Sequence, residues 1–120
     1  MVLDSKALLI FLRGESGANL VLNALEKPCF ISAVSWATVL AELPAVSPRA
    51  LLEDLERVGI EVVCVDSGFA ADASKILATG VKLETALALT LARQRGLEAL
   101  FAERGSVAPS EWRVKVNAVR

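Results

Sequence analysis

At 120 residues, with 54% apolar side chains and a formal charge of −1, the chain has room for one core and is read as one domain over residues 1–120, with no bulk field to draw it to nucleic acid or anionic lipid. Histidine is absent, which excludes Ser-His-Asp and Cys-His catalysis and removes the commonest zinc ligand. Mean hydropathy is +0.52, yet apolar runs such as ALLIFL fall far short of the ~20 residues needed to cross a bilayer. With an acid before the first Lys and no cleavage pattern, a cytoplasmic protein with no membrane partner is expected.

In chain order, MVLD reads as a short strand ending in an acid. SKALLIFLRG continues with the i, i+3, i+4 spacing of a helix that stops at Gly14. SGANLVLNALEK is a second helix closed by Pro28, and CFIS a second strand. Ser32 is placed to cap a third helix from Ala33 to Leu43, which Pro44 ends. In SPRALLEDLERVG, Ser47 is the cap, Pro48 takes the first helical position and Gly59 is the stop. IEVVCVD, rich in β-branched residues, reads as a buried strand. Asp66 or Ser67 caps a fifth helix running to about Thr79, and KLETALALTLARQRG is a sixth ending at Gly96. LEALF is a further short strand, and EWRVKVNAVR suits an edge strand in which Val114 and Val116 alternate with Arg113 and Lys115. Cys29 and Cys64 both sit in apolar runs and are expected to be buried as small hydrophobes.

Strands separated by helices require crossover connections, hence a mostly parallel sheet with helices on both faces. In such folds the chemistry gathers at the carboxyl ends of the strands. The polar residues expected there are Asp4, Thr38, the pair Glu84 and Thr85, and Glu103.

Four segments, MVLDSKALLIFLRGESG, ISAVSWATVLAEL, GVKLETALALTLARQRGL and ALFAERG, in that order and at those separations, resemble the PIN domain of VapC-type toxins. The resemblance implies a three-layer α/β/α fold with a central, mostly parallel sheet of four or five strands. It also implies a set of four acids that hold Mg²⁺ or Mn²⁺ for RNA cleavage, a homodimer, and an antitoxin protein as partner. Carried over residue by residue, Asp4 stands on the first acid and Ser5 on the hydroxyl that follows it. Lys6 occupies a position where the family prefers Ser or Asn. Thr38 replaces the second acid, Thr85 the third, and Glu103 replaces the fourth conservatively.

A hard divalent cation needs anionic oxygen. Asp4, Glu103 and Lys6 together carry −1 where four carboxylates would carry −4. At ~4 Å and an effective dielectric near 20, each missing charge forgoes about 4 kcal/mol of attraction per unit of cation charge. The remnant metal positions are therefore Asp4 and Glu103. Glu42, one helical turn beyond Thr38, and Glu84, beside Thr85, are the acids able to make up the shortfall; both also read as ordinary solvated or helix-dipole acids. Lys6, if turned inward, would satisfy Asp4 and Glu103 in the cation's place. The preferred reading is a PIN-like protein with weakened or lost metal-dependent ribonuclease activity that acts by binding RNA or a partner protein. The alternative is an active Mg²⁺- or Mn²⁺-dependent endoribonuclease toxin with a reduced acidic site.

Overall fold

The structure is a computed structural model that describes residues 1–103 and 113–119. Five short strands, β1 (Val2–Leu3), β2 (Cys29–Ser32), β3 (Ile60–Val63), β4 (Ala99–Phe101) and β5 (Val116–Ala118), form one sheet in the order β3-β2-β1-β4-β5. Every pairing is parallel, with Val2 opposite both Phe30 and Ala99, Cys29 opposite Ile60, and Ala99 opposite Val116. Six helices accompany them: α1 (Ser5–Leu12), α2 (Ala18–Ala24), α3 (Ala33–Glu42), α4 (Pro48–Val58), α5 (Ser67–Leu77) and α6 (Leu83–Arg95).

The strand-to-helix joints are made by local capping. Asp4 closes β1 and opens α1 by accepting the Ala7 amide, and Ser32 does the same for α3 through the Ser35 amide. Ser47 caps α4, with Pro48 next to it and Gly59 in the left-handed region at the other end. Asp66 caps α5. Each cap satisfies an amide that the helix cannot satisfy itself, so the chain turns from strand to helix within a residue or two.

The sheet is covered on both faces. On one, Leu8, Val21, Val39 and Leu55 from α1–α4 pack over Leu3, Ile31 and Leu100. On the other, Phe69, Ile76, Leu87 and Leu91 from α5 and α6 pack over Val2, Ala99 and Phe101. Residues Ala86 to Ala92 of α6 are all buried, Thr90 included, whose hydroxyl donates to the Ala86 carbonyl at 2.7 Å. A helix apolar on every side belongs between layers, and α6 lies between the sheet and α5.

Two expectations need correcting. The run IEVVCVD is strand only to Val63 and lies at the edge of the sheet, so Glu61 and Cys64 are exposed; Cys29 alone of the two thiols is buried. The closing strand is confined to Val116–Ala118, and Glu111, Trp112 and Arg120 of that segment lie outside the described residues. Among the described residues no helix is long and apolar enough to cross a membrane.

Candidate functional site

The carboxyl ends of β1, β2 and β4 bring three helix beginnings and one loop amide to a common mouth. Asp4 is at its centre. Its Oδ1 accepts the Ala7 amide at 2.8 Å, and Oδ1 and Oδ2 accept the Ala102 amide from the far end of β4 at 3.3 and 3.4 Å. Burial holds the Asp4 carboxyl well above the usual range, at about 6; the two amides pull it down, the Glu84 carboxylate pushes it up and Lys6 pulls it down slightly. Desolvation therefore outweighs the hydrogen bonds here, and the carboxyl has its midpoint near pH 6, below neutrality.

Glu84 is the second carboxylate of the mouth. It comes from the first turn of α6, and its Oε1 accepts the Ser5 amide at 2.6 Å and the Ser35 hydroxyl at 3.0 Å. Ser35 is fully buried in the first turn of α3, and its hydroxyl receives the Ser32 hydroxyl at 3.3 Å. Ser5 follows Asp4 as the pattern expects, and its contribution is a backbone amide.

The remaining expected residues are distributed elsewhere. Thr38 is exposed on α3 and donates its hydroxyl to the Val34 carbonyl at 3.3 Å, an intrahelical bond. Glu42 is exposed and pairs with Arg13 at 3.6 Å, bridging the ends of α1 and α3. Thr85 is half-buried. Glu103 is exposed and, with Lys6, Arg13 and Glu15, borders a cavity of about 180 Å³ beside α1. Lys6 is exposed too, and none of the described ion pairs includes it, so the inward salt bridge to Asp4 and Glu103 does not form. Two larger cavities, of about 330 and 480 Å³, open at the amino ends of the strands, near Met1 and Pro28, away from these groups.

Sequence reasoning singled out Asp4 and Glu84 but passed over Ser35. A signal existed: Ser35 is three residues after the cap Ser32, on the apolar face of a helix where a small polar residue is out of place.

The donor set can be compared with what Mg²⁺ or Mn²⁺ demands. Both Asp4 oxygens are occupied by amides, Oε1 of Glu84 has two donors, and the Thr38 hydroxyl points back along its own helix. Among the described residues no group of three or more acidic, cysteine or histidine side chains is placed to hold a metal ion. The mouth thus holds two carboxylates, Asp4 and Glu84, where the family pattern has four acids, and burial raises the pKa of one of them.

Residues 1–105 match the family model described as PIN domain. Among curated protein sequences none matches the chain. Among solved structures, a toxin–antitoxin complex from Klebsiella pneumoniae contains a chain similar to this one at TM-score 0.79 and 17% identity, with 99% of this chain and 97% of that one covered. The structure of FitAB bound to an IR36 DNA fragment is similar at TM-score 0.68 and 18% identity, over 98% and 94% of the two chains. At such identity the likeness to these structures is one of fold.

Proposed function

The chain belongs to the PIN domain family, and from that premise we propose that it is a toxin-type PIN protein with weakened or lost metal-dependent ribonuclease activity, acting by binding. The observation that carries this reading is the state of the two mouth carboxylates. Asp4 and Glu84 are brought together, but both Asp4 oxygens and Oε1 of Glu84 already accept amides or a serine, and Thr38 and Thr85 add no charge. Glu103, the other remnant acid, is exposed at the border of a small cavity that Lys6 and Ala102 also line.

Mg²⁺ or Mn²⁺, where bound by a PIN domain, polarises a phosphoryl oxygen and supplies hydroxide. Here Asp4 and Glu84 would be the residues nearest to that role, two carboxylates where the family pattern has four acids. Binding partners follow from the company the fold keeps. The K. pneumoniae relative is a toxin–antitoxin complex and FitAB is bound to DNA; an antitoxin-like protein, a second copy of this chain and RNA are the partners proposed, in the cytoplasm.

Calorimetry with Mn²⁺ tests the reading. The expected result is no micromolar uptake, by the wild type or by Asp4→Ala, and no Mn²⁺-dependent cleavage of structured RNA. Micromolar binding abolished by Asp4→Ala, or cleavage lost on Glu103→Gln, would overturn it in favour of an active endoribonuclease.

A further inference from the structure

Glu84 stands one residue before a position that the family pattern assigns to an acid, and its carboxylate is used inside the chain. The Ser5 amide is the first of α1, Ser35 is in the first turn of α3, and Glu84 itself is in the first turn of α6. Three helix beginnings therefore converge on Oε1, at 2.6 Å from α1 and 3.0 Å from α3. The Ser32 hydroxyl, donating to Ser35 at 3.3 Å, extends the chain of bonds to the end of β2. Hydrogen bonds to an ionised acceptor are the strong ones, and the positive ends of α1 and α3 add to them.

In a site built for a divalent ion, carboxylates from separate elements face one another and the ion holds the elements together. We infer that in this protein Glu84 does that work as a permanent carboxylate cross-link between α1, α3 and α6, with Ser35 as its positioning residue, so that the mouth is assembled without a metal. This deepens the proposed function and rests on its reading that metal chemistry is weakened. A partner docking at the mouth then meets a surface that chelators do not change.

Thermal unfolding of the wild type, Glu84→Ala, Ser35→Ala and the double variant, each in EDTA and in excess Mn²⁺, tests the cross-link. Glu84→Ala is expected to lose about 5 °C or more in EDTA. Ser35→Ala should lose about half as much, because the Ser5 contact remains. The double variant should melt close to Glu84→Ala, since both remove the same bond. Should Glu84→Ala fail to fold, Glu84→Gln keeps an acceptor oxygen; its Ser5 amide proton should move upfield in NMR spectra recorded in EDTA. Wild-type melting by Glu84→Ala in EDTA, additive losses in the double variant, or an unmoved Ser5 amide in Glu84→Gln would each overturn the cross-link. A wild-type Tm raised several degrees by Mn²⁺, with the Glu84→Ala loss intact in EDTA, would overturn the weakened-metal reading alone.

Discussion

Replacing Asp4 by Asn removes an acid that the fold keeps in an unfavourable place. In the folded chain its carboxyl titrates at about 6, against 3.8 for the unperturbed group. The folded state therefore binds the proton more tightly than the unfolded state, and the stability this contributes is fully present below pH 3.8 and lost as pH rises through about 6. At 1.36 kcal/mol per unit of pKa the full loss is about 3 kcal/mol. It is about 0.5 kcal/mol at pH 4, about 1.5 at pH 5 and nearly complete at pH 7. Asn caps a helix as well as Asp does, and its Oδ1 still accepts the Ala7 amide, so the geometry survives the change. Urea unfolding of both proteins from pH 4 to pH 8 gives the difference directly, because the titrating groups that do not interact with Asp4 cancel in the subtraction. Relative to the wild type, Asp4→Asn should gain about 2.5 kcal/mol between pH 4 and pH 7. Stability curves that run parallel over that range would refute the claim that burial, rather than the two amides, governs Asp4.

The two thiols should separate cleanly: Cys64 is exposed, while Cys29 is buried, donates its Sγ–H to the Ala24 carbonyl at 3.3 Å and is pushed up by burial, so Ellman's reagent should find one fast thiol per folded chain. Gly17→Ala should destabilise by more than about 1 kcal/mol in urea unfolding. Gly17 has φ +101°, and an added Cβ would run into the Val119 side chain, beside the bond from the Val119 amide to Phe101 that ends the β4–β5 pairing. Arg13→Ala should cost less than ~1 kcal/mol, and less still in high salt, because the Arg13–Glu42 pair is 42% and 57% exposed. A loss that survives molar salt would show that Arg13 acts through packing instead.

What the chain's residue order settles without help is local. Caps, prolines and terminal glycines act over three or four residues, so the alternation of strands and helices, the parallel sheet and the position of Asp4 at a strand's end were legible from MVLDSKA, ISAVS and VDSGF. Which side of each helix faces the mouth is a different matter. Successive residues of a helix are ~100° apart, so a carboxylate at 84 and a threonine at 85 look in different directions. α6 is apolar all round from Ala86 to Ala92, so no polar stripe in its sequence sets its rotation; packing between the sheet and α5 does. That packing turned Glu84 onto Ser5 and Ser35. Likewise Thr38 was left in solvent, Glu42 on Arg13, and Cys64 past the end of an edge strand. Composition supplied the carboxylates, and only the tertiary arrangement decided which of them share a mouth and which oxygens remain open, because the contacts that choose lie as many as 98 residues apart along the chain.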